Sequence, residues 1–295
     1  MVIDEIIDER TLREIYFPAF EIAVKEAQPW TVMNSYNRIN GIYASENSWL
    51  QQKVLRDEWG FDGLIVTDWG ASVDRIPGIE SGTDLEMPSS GKLNTKKITQ
   101  ALKSGKLDEE KLDTCVDRVV DLILKSKPAL SHNHSYSKKE HHDIARKIAE
   151  NSMVLLKNED NILPLKRGQK IAVIGELAEF PRFQGAGTSF INPTKLDSAL
   201  ESLKSLYTNI SYSRGYDRTC DKTDEKLLNE AVTAAKSADV AVVFAGLTEE
   251  FEGEGYDRVD INMLHAIITL SQRLQRQTRT PLLFLQAALL YTFRG

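Results

Sequence analysis

The chain has 295 residues, 41% of them apolar and 27% charged, as in a soluble globular protein long enough for two domains. Its formal net charge is −6, and it lacks the basic stripe that nucleic-acid-binding proteins carry. No run reaches the ~18–20 apolar residues of a membrane span, and the acidic start has no signal-peptide pattern, so we expect a cytoplasmic protein with neither nucleic acid nor membrane as partner.

The first part of the chain alternates predicted helices and strands. Thr11 to Glu14 is a capping box that predicts a helix running to about Ala27. Further elements are predicted as a strand over 30–36, a helix over 47–59, a strand over 64–67, a broken helix carrying Pro77, a strand over 83–87, and helices over 95–103 and 108–125. The helix over 108–125 is expected to bury Leu112, Cys115, Val116, Val119, Val120 and Ile123. Strands that alternate with helices predict a parallel sheet or barrel.

A second α/β domain is predicted after a polar, unpatterned linker over 128–137. Its elements are a helix over 138–151, strands over 154–156, 171–175, 210–212 and 240–244, and a helix over 223–237. Four histidines cluster here: His132 and His134 lie in the linker, and His141 and His142 lie in the first helix. They lack a carboxylate or cysteine partner at ligand spacing, so they indicate an exposed hinge, and we predict no metal site.

Asp68 is the first candidate for chemistry. It ends the strand over 64–67 and is followed by Trp69 and a glycine. In barrels of parallel strands the reacting groups lie where strands end at the C-terminal face. An aspartate there, beside a flat aromatic ring, suits a carboxylate nucleophile under a sugar. The alternative is that Asp68 caps the next helix, which is favoured for a strand-end aspartate taken alone.

An acidic, glycine-bearing loop over 247–258 is the second candidate. It follows the strand over 240–244 and carries Glu249, Glu250, Glu252 and Glu254. Glycoside hydrolysis with retention needs two carboxyl groups ~5–5.5 Å apart, one as nucleophile and one as acid/base. The loop could supply the second group. The alternative is a solvated surface, which is favoured for such a loop taken alone.

Several motifs in combination carry a family resemblance. They are Trp30-Thr-Val-Met-Asn-Ser-Tyr-Asn-Arg-Ile-Asn-Gly41, Gly63-Leu-Ile-Val-Thr-Asp-Trp-Gly70, Gly82-Thr-Asp-Leu-Glu-Met-Pro88 and Gly255-Tyr-Asp-Arg258. This set resembles glycoside hydrolase family 3, especially its bacterial β-glucosidases, over roughly residues 8–260. The resemblance implies an α/β fold: the C-terminal portion of a (β/α)8 TIM-like barrel over 1–127, the linker over 128–137, and a partial α/β sandwich over 138–262. It also implies retaining hydrolysis of β-linked glucosides or oligosaccharides, with no cofactor.

The resemblance assigns the site residues one by one. Asp68 takes the nucleophile's position and Glu254, which precedes Gly-Tyr-Asp-Arg, that of the acid/base, with Glu252 as the fallback. Met33, Tyr36 and Trp69 are placed near the sugar, although a Met and a Tyr on a strand are more often core residues. Ser189, in the loop over 183–190, is the expected substrate contact of the second domain. The Gly-x-Gly of that loop only faintly resembles a phosphate loop, because it lacks a P-loop lysine.

The sequence departs from the family at two places. The first five of the eight strands of such a barrel have no counterpart, and an incomplete barrel cannot close. Residues 263–295 show no family pattern. Synonymous codons nevertheless exist for 270–295 that, when the reading frame is moved one base earlier, encode a sequence resembling the family's helix, turn, buried strand and Pro-Trp. We therefore expect an out-of-frame tail over 263–295 and a fragment that is itself inactive and poorly folded. The alternative to a hydrolase is an inactive or weakly sugar-binding remnant.

Overall fold

The computed structural model describes residues 3–131, 135–158, 161–185, 187–256, 258, 260–277 and, for the backbone alone, 281–286. The chain divides into two compact units, Met1–Ser135 and Tyr136–Gly295. Their boundary lies within the range predicted as a linker. Among the described residues, no helix has both the length and the apolar character needed to cross a bilayer.

The first unit contains short strands and several helices. In chain order they are β1 (Asp4–Glu5), α1 (Glu9–Thr11), α2 (Pro18–Ile22), β2 (Thr31–Asn34), β3 (Arg38–Ile39), β4 (Ile42–Tyr43), β5 (Leu64–Thr67), α3 (Arg75–Ser81), α4 (Lys92–Lys103) and α5 (Glu109–Leu130). Leu12–Tyr16, Ala23–Ala27 and Trp49–Glu58 are π-helical. The last of these is the helix predicted over 47–59. Pro77 lies in the first turn of α3, where its missing N–H breaks no helical hydrogen bond, so the predicted break is absent.

The first helical segment begins before the predicted capping box. Asp8 is the N-cap of α1, and its Oδ1 accepts the Thr11 N–H at 2.9 Å. The Thr11 hydroxyl itself donates to Asp8 Oδ2 at 2.7 Å. The carboxylate makes the better cap because it also meets the positive end of the helix dipole. The prediction that Thr11 opens this helix is therefore wrong.

Strands β2 and β5 pair in parallel and fix the place where β5 ends. Asn34, the last residue of β2, lies opposite Thr67, and its carbonyl accepts the Asp68 N–H at 3.2 Å. One face of the pair is anchored by Ile65, which packs in an apolar cluster with Leu12, Phe17, Val24, Val54, Leu55, Trp59 and Phe61. Asp68 therefore lies at the carboxyl ends of two adjacent parallel strands.

The segment over 83–87 is held by buried polar groups and is not a strand, contrary to the prediction. Its only ladder contact in the described chain is the isolated bridge between Leu85 and Val66. The fully buried carboxylate of Asp84 accepts the Ile65 N–H at 2.7 Å and pairs with Arg56 and Arg118, each at 3.0 Å. These contacts, together with the backbone hydrogen bonds of Leu85 to Ile65 and Thr67, hold the segment against β5.

Helix α5 buries less of its apolar face than predicted. Cys115 is buried beside Ile79 and Ala101, but Val116, Val120 and Ile123 are 49%, 45% and 59% exposed. Side chains of the described first unit cover only the early turns of this face. The periodicity correctly predicts an apolar stripe on this helix. Whether the stripe is buried depends on tertiary contacts, which the periodicity does not specify.

The second unit is a parallel sheet flanked by helices. Its elements are α6 (Lys138–Ser152), β6 (Ile171–Ile174), α7 (Ala199–Leu206), β7 (Ile210–Ser213), α8 (Glu225–Lys236), β8 (Val240–Gly246), α9 (His265–Gln277) and β9 (Pro281–Gln286). The strand order is β7-β6-β8-β9, with every pair parallel. On one face of the sheet, side chains of β6 and β8 pack with α8 and α9 around Ile174, Leu228, Val243, Ile267 and Leu270.

Two parts of the second unit bear on the sequence predictions. The strand predicted over 154–156 is wrong: this segment pairs with no strand among the described residues, and Val154 and Leu156 are 78% and 84% exposed. An apolar run becomes a strand only where a sheet edge can accept its backbone groups. The range predicted as a tail, 263–295, contains α9 and β9, while its residues 278–280 and 287–295 lie outside the described chain.

Candidate active site

Asp68 does not cap the next helix. Helix α3 begins at Arg75, and its N-cap is Asp74, whose Oδ1 accepts the Ile76 N–H at 3.2 Å. Asp68 Oδ1 instead accepts the Trp69 N–H at 2.6 Å and the Tyr36 hydroxyl at 3.1 Å. Asp68 is half-buried, whereas the Trp69 side chain is 62% exposed. The Asp68 carboxylate therefore lies at the end of a strand, and two hydrogen-bond donors are within reach of its Oδ1.

Tyr36 reaches Asp68 because β2 has already ended. The strand stops at Asn34, so the alternation that would put Met33 and Tyr36 on opposite faces no longer applies. The Tyr36 hydroxyl also lies 2.8 Å from the Trp69 carbonyl oxygen, and its single proton can serve one of the two acceptors at a time. Met33 remains on β2 and is 60% exposed.

The turn after Asp68 is fixed by backbone contacts. The Gly70 N–H donates to the Met87 carbonyl at 2.7 Å, and the Ala71 N–H donates to the Asp68 carbonyl at 3.0 Å. Gly70 has φ of +84°, a conformation that glycine adopts without steric cost. The Thr67 hydroxyl accepts the Met87 N–H at 2.8 Å. The segment over 83–87 thus positions the turn that carries Trp69.

Glu252 and Glu254 have different environments. Glu252 is buried, its carboxylate lies 3.5 Å from Arg182, and its backbone carbonyl accepts from the same guanidinium at 3.1 Å. Glu254 is exposed, and its Oε2 accepts the Thr188 N–H at 2.7 Å and the Thr188 hydroxyl at 2.8 Å. The Thr188 N–H, and then its hydroxyl, lower the pKa of Glu254 by stabilising the ionised form. Glu252 is engaged in structure, while Glu254 is open to solvent.

The predicted residues fall into two groups, each within its own unit. In the first unit the structure brings Tyr36, Asp68 and Trp69 together. In the second unit it brings Glu254 to the turn Gly187–Ser189, and the Ser189 hydroxyl lies over Gly185. The sequence-based predictions did not include Thr188. Its hydroxyl side chain, between Gly187 and Ser189 in a loop expected to contact substrate, could have indicated a polar role.

The histidine cluster offers no metal site in the part that is described. No group of three or more His, Cys, Asp or Glu side chains there could hold an ion. His142 Nε2 lies 2.8 Å from Asp197 Oδ2, which is an exposed ion-pair geometry. His132 and His134 lie outside the described residues.

Comparison with known proteins places both units in one family. The glycosyl hydrolase family 3 N-terminal domain matches residues 4–122, and the glycosyl hydrolase family 3 C-terminal domain matches residues 153–292. The latter match continues past residue 262, where we expected the resemblance to end.

Individual relatives agree with these domain matches. The chain is 51% identical over 266 residues to a thermostable β-glucosidase B of Acetivibrio thermocellus, covering 89% of this chain and 35% of the relative. It is 44% identical over 281 residues to an exo-α-(1→6)-L-arabinopyranosidase of Bifidobacterium breve, covering 92% of this chain and 37% of the relative. A crystal structure of a Bifidobacterium adolescentis family 3 β-glucosidase superposes with a TM-score of 0.89 at 41% identity, over 96% of this chain and 42% of that one. The chain thus spans little more than a third of the length of these curated relatives.

Proposed function

Because the chain belongs to glycoside hydrolase family 3, we propose that the protein hydrolyses β-glucosides with retention, releasing terminal non-reducing β-D-glucose. We also propose that the first unit is the C-terminal portion of a (β/α)8 barrel and the second a partial α/β sandwich. The observation that carries the functional proposal is the placement of Asp68: a strand-end carboxylate that caps no helix, beside an exposed tryptophan and a tyrosine hydroxyl.

Asp68 acts as the nucleophile in this proposal. The Trp69 N–H donates to Oδ1, the Tyr36 hydroxyl lies 3.1 Å from the same oxygen, and within the described chain no donor occupies Oδ2. Oδ2 attacks the anomeric carbon as the bond from that carbon to the leaving oxygen breaks, giving a covalent glycosyl-enzyme. The exposed faces of Trp69 and Met33 offer apolar surface to the sugar ring. No cofactor takes part.

Glu254 acts as the acid/base. It gives its proton to the leaving oxygen in the first step and takes one from water in the second, so that the carboxyl ends the cycle as it began. Its exposure supports this assignment, since a group that exchanges protons with substrate and water must be reachable. Glu252 is less suited, because its buried carboxylate lies 3.5 Å from the Arg182 guanidinium, and a proton-exchanging role would break this buried ion pair.

Both residues can be tested in a chimera. In it, this chain's matching residues replace the corresponding segment of the A. thermocellus relative. We expect the chimera to hydrolyse 4-nitrophenyl β-D-glucoside, with retention followed by NMR of the first-formed anomer. First-formed α-glucose would indicate inversion and contradict the proposal.

The similarity to the exo-α-(1→6)-L-arabinopyranosidase of Bifidobacterium breve supports a second class of substrate. α-L-Arabinopyranosides are therefore the alternative substrates. A second chimera, built in that relative, separates the two. If this chain's residues favour glucose, both chimeras will have a higher ratio of kcat/KM for the aryl β-D-glucoside over the aryl α-L-arabinopyranoside than their unsubstituted parents. A fall in both ratios would favour the arabinopyranoside.

Removing the Tyr36 hydroxyl is expected to slow the chimera without unfolding it. Tyr36→Phe deletes a donor to Asp68 Oδ1, and a hydrogen bond to a charged group contributes about 1.5–3 kcal/mol, so kcat/KM should fall about 10- to 100-fold. Tyr43→Phe is the matched control, because the Tyr43 hydroxyl bonds to Arg38 and not to Asp68. Equal effects of the two substitutions on aryl glucoside hydrolysis would contradict the role of Tyr36.

The 295-residue chain by itself is expected to show no hydrolysis above background. In the first unit, Phe20, Met33, Ile123 and other large apolar side chains are exposed, which favours association over a rigid site. Catalysis tolerates errors of only about 1 Å in the placement of reacting groups. Size-exclusion chromatography and an aryl glucoside assay on the purified chain test this. A monodisperse chain with measurable turnover would contradict it, and weak glucose binding without turnover would favour the sugar-binding alternative.

A further inference from the structure

We propose that Thr188 is a positioning residue that anchors Oε2 of Glu254 and leaves Oε1 to exchange the proton. The inference rests on the acid/base role proposed for Glu254. Both donors of Thr188, the backbone N–H and the hydroxyl, converge on the same oxygen at 2.7 and 2.8 Å. Among the described residues, no donor reaches Oε1.

The close approach of the turn supports this role. Gly187 has φ of +73°, and a Cβ at that position would lie 2.3 Å from Glu254 Oε2. The backbone before Thr188 can therefore come up to the carboxylate only because residue 187 has no side chain. The turn Gly187–Ser189 is shaped around the carboxylate, and Thr188 supplies the donors that fix it.

The two oxygens of Glu254 then have separate tasks. A carboxyl that exchanges a proton with the substrate must keep one oxygen in a fixed direction, since proton transfer needs a heavy-atom distance of about 2.6–3.2 Å. Holding Oε2 from both donors restricts rotation of the carboxyl plane and directs Oε1 away from the turn. The same donors favour the ionised form, which is the form that accepts the proton of water in the second step.

Neutral donors, rather than a charged partner, set this environment. The turn Gly187–Ser189, which contacts Glu254 through Gly187 and Thr188, contains no charged residue. On its own loop the charged neighbours are Glu249, Glu250, Glu252, Asp257 and Arg258; Glu252 is paired with Arg182, and Asp257 lies outside the described residues. Substitution of Thr188 leaves all of these charges in place, so a change in the titration of Glu254 reports on the lost donor.

The inference can be tested on the chimera without measuring turnover. Carbodiimide activates protonated carboxyl groups, which then react with glycine ethyl ester. Fragmentation of the peptide over 249–254 shows which glutamate carries the label. The pH dependence of this labelling therefore reports the titration of each glutamate. Thr188→Val removes the hydroxyl but keeps the branched shape. We expect it to move the labelling midpoint of Glu254 to higher pH, because the lost hydroxyl is one of the two donors that lower the pKa of this carboxyl group.

Controls are built into the same peptide. Thr188→Ser keeps both donors and should leave the midpoint unchanged. Exposed Glu250 should label identically in all variants, and buried Glu252 should stay protected. An unchanged Glu254 midpoint in Thr188→Val, an equal shift in Thr188→Ser, or new labelling of Glu252 would overturn the inference. Failure of the acid/base proposal is seen separately, in the activity of Glu254 variants of the chimera.

Discussion

Replacing Asp68 by alanine in the chimera is expected to lower kcat by about 10⁴-fold or more. Removal of a catalytic nucleophile typically costs about 10⁴- to 10⁶-fold, because the covalent intermediate can no longer form. The expected loss appears with every leaving group, since the missing bond is the one to the anomeric carbon. The measurement is kcat for 4-nitrophenyl and 2,4-dinitrophenyl β-D-glucoside.

A matched control separates chemistry from folding. Asp62 is an exposed aspartate just before β5, so Asp62→Ala changes the same residue type near the same strand and should retain activity. Azide should partly restore Asp68→Ala and give the α-glucosyl azide, because it enters from the face that the carboxylate has left. Near-normal turnover by Asp68→Ala, or azide rescue with the β product, would rule out the assignment.

Replacing Glu254 by alanine is expected to affect substrates according to their leaving groups. A dinitrophenolate departs without a proton, so kcat/KM for the dinitrophenyl glucoside should change less than about tenfold. Cellobiose needs the proton and should lose about 10²- to 10⁴-fold, the usual contribution of general acid catalysis. Azide should react with the glycosyl-enzyme in this variant and give the β-glucosyl azide.

Glu252→Ala provides the contrasting pattern. It removes one member of the buried ion pair between Glu252 and Arg182, a change that typically costs about 3–5 kcal/mol of stability. The expected result is a lower unfolding temperature and a loss of activity that does not depend on the leaving group. If Glu252→Ala instead shows the leaving-group dependence and azide rescue while Glu254→Ala does not, the two roles are reversed.

Features encoded locally could be predicted from the sequence. The strand over 64–67 is found at the predicted residues because Leu64 to Thr67 is a short apolar run, rich in β-branched residues, between a glycine and an aspartate, a pattern typical of a buried strand. The helix over 223–237 is likewise present, as Glu225–Lys236. The strands over 171–175, 210–212 and 240–244 are also found, with ends that differ by one or two residues.

Features that depend on a distant partner could not be predicted. The segment over 83–87 forms a single bridge to β5, and its Asp84 carboxylate is held by Arg56 and Arg118 from elsewhere in the unit. Val154 to Leu156 has strand-like residues but pairs with no strand in the described chain. The Tyr36–Asp68 contact depends on where β2 ends, and Thr188 reaches Glu254 across the fold of the second unit. None of these contacts has a signature in local periodicity.

The range 263–295 needs a test at the level of the gene. Within it, Ile267, Leu270 and Leu274 of α9 recur at helical spacing and are buried in the core of the second unit. We nevertheless keep the out-of-frame tail as a proposal, because it rests on the alternative reading of codons for 270–295. Resequencing across this segment decides it: an intact frame through 295 would reject the proposal.

Mechanism-based labelling tests the central claim most directly. A 2,4-dinitrophenyl 2-deoxy-2-fluoro-β-D-glucoside forms the glycosyl-enzyme readily but releases it slowly, because fluorine destabilises the oxocarbenium-like transition states while the good leaving group sustains the first step. Applied to the chimera, it should add one fluoroglucosyl group, and fragmentation of the labelled peptide should place that group on Asp68. A label on any other carboxylate, or complete inhibition with no covalent adduct, would contradict the assignment of Asp68 as the nucleophile.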